Sequence, residues 1–223
     1  MRTTLGTSDP EIDNRQSTLD NSVNRPLSLS SVAPAVTPFA SRGGDKLEAA
    51  LQHFALDVKG LVCADLGSHV GGFVDCLLRS GAARVYSVDT AYGILAWKLR
   101  KDPRVTVLER TNAMHVTLSE TVELVTVDVG WTPQSKILPN VTGMLSPAAR
   151  VITLIKPHYE AAENLLVNGV LPDERVGGVV ETVLDDVKCV GWTVLDTFPS
   201  PLRGHAGNRE VFALLTRSQS EHA

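Results

Sequence analysis

The sequence predicts an α/β protein built on a seven-stranded, mostly parallel sheet with helices on both faces. Three observations predict it. From Gly60 onward, short apolar runs alternate with amphipathic stretches, the pattern of strands joined by crossover helices. The first run, V-C-A-D-L at 62–66, passes directly into the turn G-S-H-V-G-G-F at 67–73, as a nucleotide-type sheet begins. Five consecutive runs end in polar or charged residues, which right-handed crossovers collect along one sheet edge, where ligands bind.

The chain divides into a polar tail, a domain and a short second tail. Residues 1–39 are rich in Ser, Thr, Asn, Asp and Pro without a sustained hydrophobic period, and read as a flexible extension. Residues 40–218 form the domain, and 219–223 the C-terminal tail. Leu47, Ala50, Leu51 and Phe54 share one helical face, so Asp45 to about Leu56 is a helix, with Lys46 in its first turn, a poor place for a cation. The first strand is Gly60 to Leu66, and its helix Gly72 to Ser80. The second strand is Arg84 to Val88, followed by a helix over Gly93 to Arg100. The third strand, Val105 to Glu109, precedes an irregular piece. The fourth is Leu124 to Val127, with a helix inside Gln134 to Leu145. The fifth is Arg150 to Ile155, followed by a loop and a helix over Asp173 to Val190. Trp192 to Thr197 and Glu210 to Thr216 complete the sheet.

Composition narrows the class. At 223 residues, with 43% hydrophobic and 21% charged residues, the chain suits one sizeable globular domain. No apolar run approaches the roughly 20 residues that cross a bilayer, and no signal-peptide core opens the chain. Cys63, Cys76 and Cys189 are odd in number and widely spaced, and two lie in apolar segments, so free buried thiols are expected rather than a disulfide or metal site. A cytoplasmic protein without a membrane or metal partner follows as the expectation. The net charge of −4 does not advertise nucleic-acid binding, although a local basic face remains compatible with it.

The strand ends supply the candidate site. Asp65 and Gly67 close the first strand. Gly67, Gly71 and Gly72 let the backbone turn sharply, and the helix that follows points free N–H groups at an anionic group. Asp89 closes the second strand, where a carboxylate accepts hydrogen bonds from ribose hydroxyls. Glu109, Thr111 and Asn112 follow the third, where an adenine edge would lie. Asp128 and Lys156 close the fourth and fifth. From Gly67 the spacing is G-x-x-x-G-G, unlike the G-x-G-x-x-G of dinucleotide sites. It is nearer to the S-adenosylmethionine pattern of Rossmann-like class I methyltransferases, which implies cofactor contacts from Asp65, Gly67, Ser68, Gly71, Gly72, Phe73, Asp89, Asn112 and Asp128.

Several strings carry a narrower resemblance: S-R-G-G-D-K-L (41–47), D-L-G-S-H-V-G-G-F (65–73), A-Y-G-I-L-A-W-K-L-R (91–100), E-R-T-N-A (109–113), V-D-V (127–129), I-K-P-H-Y-E (155–160) and G-N-R-E-V (207–211). In this order and spacing they resemble the TlyA, or hemolysin A, branch of FtsJ-like methyltransferases. The resemblance implies an S-adenosylmethionine-dependent ribosomal RNA 2′-O-methyltransferase. It also implies a Lys-Asp-Lys-Glu tetrad at Lys46, Asp128, Lys156 and Glu210, with ribosomal RNA or a ribosomal subunit as partner. The chemistry of those side chains agrees: a ribose hydroxyl is a weak nucleophile and needs a base, which Lys156 supplies when neutral. A nearby second ammonium and partial desolvation favour the neutral amine; Asp128 and Glu210 oppose that while orienting it.

The departures from the family pattern fall on the substrate side. The N-terminal RNA-binding module is replaced by the polar tail. Gly130-Trp131 stands for Ser-Phe after V-D-V, and His158-Tyr159 for Gln-Phe after Lys156-Pro157. Trp131 and Tyr159 suit stacking on an unpaired base or packing within their loops. Lys98, Arg100, Lys101, Arg104 and Arg110 suit either phosphate or solvent, and Arg42, Arg203 and Arg209 lie nearer the tetrad in sequence order. Methylation of a small hydroxyl compound, and a hemolysin-like membrane-acting or cofactor-binding role, stand as the alternatives.

Overall fold

The computed structural model describes residues 38–218; the expected tails, up to 37 and from 219, lie outside them. In chain order the elements are α1 (Arg42–His53), β1 (Val62–Leu66), α2 (Gly72–Arg79), β2 (Arg84–Val88), α3 (Trp97–Arg100), β3 (Val105–Leu108), β4 (Val122–Val127), α4 (Gln134–Val141), β5 (Leu145–Ile155), α5 (Pro157–Glu160), α6 (Asp173–Cys189), β6 (Trp192–Pro199) and β7 (Val211–Arg217). Short 3-10 turns at Thr142–Met144, Glu163–Leu165 and His205–Gly207 join some of them.

The seven strands lie in the order β3-β2-β1-β4-β5-β7-β6. The first five pair in parallel, while β7 is antiparallel to both neighbours, β5 and β6. The chain leaves β1 toward β2 on one side and resumes at β4 on the other, so the topological switch point falls between β1 and β4. The reversal of β7 has a direct consequence. The residue that precedes it, Glu210, arrives at the edge where the parallel strands end.

Both sheet faces are covered, so strand residues alternate between two cores instead of between core and water. Along β5, Ile152 and Leu154 pack with Leu47 and Leu51 of α1 and with Phe73 and Leu77 of α2. Their neighbours Val151 and Ile155 pack with Ile137 and Leu138 of α4 and with Val183 and Val187 of α6. On β7 the same alternation sends Phe212 to the first core and Ala213 to the second.

Several boundaries differ from the sequence expectation, each for a local reason. The first helix begins at Arg42, because Ser41 caps it and accepts a hydrogen bond from Gly43 N. Lys46 therefore sits in the second turn, outside the reach of the unfavourable N-terminal dipole. Phe39, expected at the end of the tail, is buried, and its ring occupies the space where a Cβ on Gly44 would fall. The helix expected from Gly93 is only the single turn Trp97–Arg100. The Asp89 carboxylate takes the Ala91 N–H and the Glu109 carboxylate takes the Gly93 N–H, while Gly93 itself is left-handed with φ +75°. Strand β5 is longer than expected, starting at Leu145 across an irregularity opposite Val122 and Leu124. The turn α5 is an addition to the expected elements; Pro157 opens it at the first helical position.

Phe212 is fully buried, with its ring 6.1 Å from that of Phe73. Phe212→Ala should lower the unfolding free energy by about 3–5 kcal/mol, read from urea denaturation. Leu195→Ala, on a half-exposed residue of β6, should change it by less than about 0.5 kcal/mol.

Candidate active site

A cavity of about 530 Å³ opens at the carboxyl edge of the sheet, over the switch point. Its floor is the end of β1. Asp65 is fully buried, and its Oδ1 accepts a 2.7 Å hydrogen bond from Thr126 Oγ1 of β4. Its Oδ2 is a buried acceptor with no hydrogen-bond partner among the described residues. Burial pushes the carboxyl up to about 7; the nearby Asp128 and Asp89 charges add to the rise, and hydrogen bonds from Thr126 and Ser68 oppose it.

Gly67 begins the turn at φ +91°, and a Cβ there would stand 2.6 Å from the main-chain oxygen of Asp128. The glycine thus lets the ends of β1 and β4 meet across the switch point. Ser68 lines the cavity and donates from Oγ to Asp65 O at 2.9 Å. Phe73 and Gly72 also line it, but a Cβ on Gly72 would meet Ser41 Oγ at 2.2 Å and Gly44 N at 2.9 Å. Gly72 thus serves the close approach of the α1 and α2 N-termini. Gly71 stands outside the lining; a Cβ there would strike Leu99 and Leu95, so its place is set by packing against α3.

Asp89, at the end of β2, accepts 2.7 Å and 2.8 Å hydrogen bonds from His69 N and Ala91 N, one on each oxygen. These fix the carboxylate on the cavity wall, and each oxygen retains a lone pair for a hydroxyl. Asn112 folds its Oδ1 onto Met114 N at 2.9 Å, and the resulting turn lays Asn112, Ala113 and Met114 along the wall, near Ile137. Glu109 is instead paired with Arg100.

Lys46, Asp128, Lys156 and Glu210 all line this same cavity. They form two ion pairs: Lys46 Nζ lies 2.5 Å from Glu210 Oε2, and Lys156 Nζ lies 2.7 Å from Asp128 Oδ1. The first pair is nearly out of solvent, with side chains 13% and 4% exposed. Lys156 Nζ also donates to Val129 O at 3.1 Å and toward Asp128 O at 3.4 Å. A Cβ on Gly204 would fall 2.0 Å from Glu210 Oε1, so that glycine makes room for the carboxylate.

Sequence reasoning misses Ser41 and Gly43 as wall residues. Their signal lies in S-R-G-G, where small residues stand at a helix start. Three of the five cations in the basic group around Arg100 meet a carboxylate. Lys98 pairs with Asp75, Arg100 with Glu109 and Arg104 with Asp102, while Lys101 and Arg110 lie over the rings of Trp97 and Tyr92. Among the described residues there is no cluster of three or more His, Cys, Asp or Glu that could hold a metal, and no helix is long and apolar enough to cross a membrane.

The wall fits the cofactor that the sequence resemblance implies. An unpartnered buried carboxylate oxygen suits a cationic N–H donor, the Asp89 carboxylate suits ribose hydroxyls, and Ala113, Met114 and Ile137 suit a flat apolar ring. Comparison with known proteins points the same way. The profile of the FtsJ-like methyltransferase family matches residues 39–217. The 16S/23S rRNA (cytidine-2′-O)-methyltransferase TlyA of Mycobacterium tuberculosis is 38% identical over 206 residues, which cover 90% of this chain and 76% of that protein. Hemolysin A of Brachyspira hyodysenteriae is 32% identical over 185 residues, covering 78% of this chain and 75% of its own. A solved protein from Streptococcus thermophilus, described as a hemolysin, superposes with a TM-score of 0.80 at 33% identity, covering 84% of this chain and 70% of that one. An S-adenosylmethionine-dependent methyltransferase from Mesorhizobium loti shares the fold alone, with a TM-score of 0.58 at 16% identity over 76% of this chain and 96% of that one.

Asp65 gives this site a pH signature. A carboxyl raised from 3.8 to about 7 favours the protonated form in the folded state. Its contribution to stability is therefore full below about pH 4 and is lost as pH rises through about 7. A donor meeting Oδ2 reverses the preference. Binding of S-adenosylmethionine should release close to one proton at about pH 6 and almost none at about pH 8.5. Calorimetry in buffers of different ionisation enthalpy reads this directly, and Asp65→Asn should abolish the difference.

Proposed function

The chain belongs to the FtsJ-like methyltransferase family, and on that footing we propose that it methylates ribose 2′-hydroxyls of ribosomal RNA. It is an S-adenosylmethionine-dependent enzyme. The single observation that carries the finer reading is the meeting of two amines and two carboxylates, remote in sequence, in the cavity over the switch point. The relatives support the substrate class: those of Mycobacterium tuberculosis and Campylobacter jejuni are rRNA (cytidine-2′-O)-methyltransferases.

In this reading Asp65, Gly67, Ser68, Phe73, Asp89 and Asn112 hold the cofactor, with Gly71 and Gly72 shaping the turn around it. When bound, S-adenosylmethionine supplies an electrophilic methyl group. The chain supplies the rest. With its own proton lost beforehand, Lys156 Nζ would accept the proton of the attacking hydroxyl as the sulfur–methyl bond breaks and the O–C bond forms, so that no positive charge is left on oxygen. Asp128 and the main-chain oxygens of 128 and 129 fix the direction of that amine. The Lys46–Glu210 pair orients the ribose, and holding the hydroxyl in line supplies much of the rate gain.

The sugar must be presented with its base out of the way. Trp131 is 81% exposed, and its ring lies 4.3 Å from that of Tyr159, which lines the cavity. The His158 ring lies 4.1 Å from that of Tyr159, tilted 46° to it. An exposed aromatic shelf beside the candidate base suits an unstacked nucleobase. The hemolysin designation of some relatives raises a membrane-acting reading, which leakage of dye-loaded liposomes tests.

The experiment is incubation of ribosomal subunits and free ribosomal RNA with methyl-labelled S-adenosylmethionine, followed by mapping of ribose methylation. Lys156→Ala should reduce turnover by about 10²–10⁴-fold while leaving cofactor affinity little changed; retained turnover removes Lys156 from the chemistry. Trp131→Ala should lower kcat/KM for RNA roughly 5- to 150-fold, the equivalent of about 1–3 kcal/mol of base stacking, without altering cofactor affinity.

A further inference from the structure

Glu210 reaches the cavity on a loop, residues 200–210, that also carries Arg203 and Arg209. The loop is closed on itself by Ser200 N to Glu210 O and Gly204 N to Asn208 O, both at 2.9 Å. The buried Asn208 side chain ties it to the segment before α6, donating to Gly169 O and accepting from Leu171 N. Arg203 and Arg209 both converge on one carboxylate, Asp173, the first residue of α6. Arg203 meets its two oxygens at 3.1 Å and 2.8 Å, and Arg209 Nε meets Oδ2 at 2.8 Å. Arg42, the first residue of α1, extends its guanidinium to Arg203 O at 3.4 Å, and its chain neighbours Ser41 and Gly43 line the cavity. Arg42 has no carboxylate partner among the described residues.

This group differs from the other cations of the domain. Lys98, Arg100 and Arg104 each sit against a carboxylate on their own side of the sheet edge. Here two exposed guanidinium groups, of Arg203 and Arg209, share the Asp173 carboxylate, and a third, of Arg42, stands beside them on the Arg203 main-chain oxygen, on a chain whose net charge is negative. Three guanidinium groups against one carboxylate leave an excess of two positive charges among these four side chains, two of them on the loop that delivers Glu210 to the cavity. The planar forks of Arg203 and Arg209, converging on one oxygen pair, have the shape that binds a phosphodiester.

The geometry points to Arg42, Arg203 and Arg209 as a phosphate clamp for the RNA backbone beside the target ribose, with Asp173 as an internal anion that an RNA phosphate displaces. This inference rests on the RNA reading above and adds to it where the strand is gripped. The target nucleotide is then held from both sides, its base on the Trp131–Tyr159 shelf and its flanking phosphate on the arginines. The two arginines also hold the Asp173 carboxyl down to about 2, so it is an anion at any pH where RNA is bound.

Removing the acid should improve binding. Asp173→Asn should tighten the affinity for a fluorescein-labelled single-stranded RNA several-fold and steepen its salt dependence. Arg203→Gln/Arg209→Gln should weaken it roughly tenfold at low salt and flatten the slope of log K against log salt by about 0.7 for each phosphate left without its arginine. S-adenosylmethionine affinity and the melting temperature, measured on every variant, report whether the fold persists. Weaker RNA binding by Asp173→Asn with both controls intact overturns the displacement. Unaltered binding and methylation by the double arginine variant overturn the clamp, while wild-type RNA methylation keeps the parent reading standing. A wild-type protein that neither binds nor methylates RNA removes both.

Discussion

Charge taken out of water must be paired, and at this cavity the pairing is done between the first helix and the last strand of the domain. Lys46 and Glu210 lie 164 residues apart in sequence, and their side chains are almost fully enclosed. Either one alone would be a buried unpaired charge, a fault worth about 3–5 kcal/mol in ion pairs of this kind. The requirement fixes much else. Glu210 reaches the ligand edge because β7 runs against its neighbours, and Gly204 must lack a side chain to leave the carboxylate room. On the other side, α1 must be capped at Ser41 so that Lys46 falls one turn inward, and its start must lie close enough to α2 that Gly72 carries no Cβ. Asp75 reinforces that corner, taking the Ala40 N–H, Lys98 and Arg79 together, and the attraction of the two cations for the carboxylate outweighs burial and lowers its pKa.

What the sequence makes legible is what short range decides. The limits of β2 are those expected, because the segment is bounded by Gly81-Ala82 on one side and an acid on the other. The Gly67 turn and the position of Asp89 are readable from spacing, as is the use of both sheet faces from the unbroken apolar runs. The tetrad positions come from the family resemblance and not from periodicity. What escapes is decided by partners far away. The loop after Asp89 looks helical, yet its N–H groups go to Asp89 and to Glu109 at the end of the neighbouring strand, so the helix shrinks to one turn. The basic stretch around Arg100 reads as open to phosphate in one dimension, and only the fold brings its acids beside it. Gly72 reads as a ligand contact, although the neighbour that requires it is Ser41, the cap of another helix.

On the proposed reading, a chain of net charge −4 would handle a polyanion through the local distribution of its charge. Around α3, Lys98, Arg100 and Arg104 each meet a carboxylate, while Lys101 and Arg110 keep their charge over aromatic rings, and salt screens exposed charges beyond roughly 8 Å. Around Arg42, Arg203 and Arg209 three exposed cations stand with the single carboxylate of Asp173. Net charge sums over the whole surface, whereas a strand of RNA samples one face at a time.

Backbone strain gathers mostly at the same edge: of the six non-glycine residues in the left-handed region among the described residues, four stand there, and Ala55 and Asn168 stand apart from the cavity lining. Non-glycine residues in the left-handed region include His69 at φ +48°, Arg110 at +52°, Trp131 at +61° and Ala206 at +55°. His69 lines the cavity, Arg110 and Trp131 stand beside lining residues, and Ala206 sits in the loop that delivers Glu210. Each such residue costs of order 1–3 kcal/mol unless its surroundings over-determine it. Here they do. The Asp89 carboxylate holds the His69 N–H, Ala91 O accepts the Arg110 N–H, and Tyr159 packs against the Trp131 ring. Asp65 belongs to the same class, a buried acid with one oxygen left without a partner among the described residues. A domain that satisfied only stability would have relaxed these positions first. Their persistence around one cavity is best explained by a ligand that completes them, supplying the donor that Asp65 lacks and the contacts for which the neighbouring turns are held.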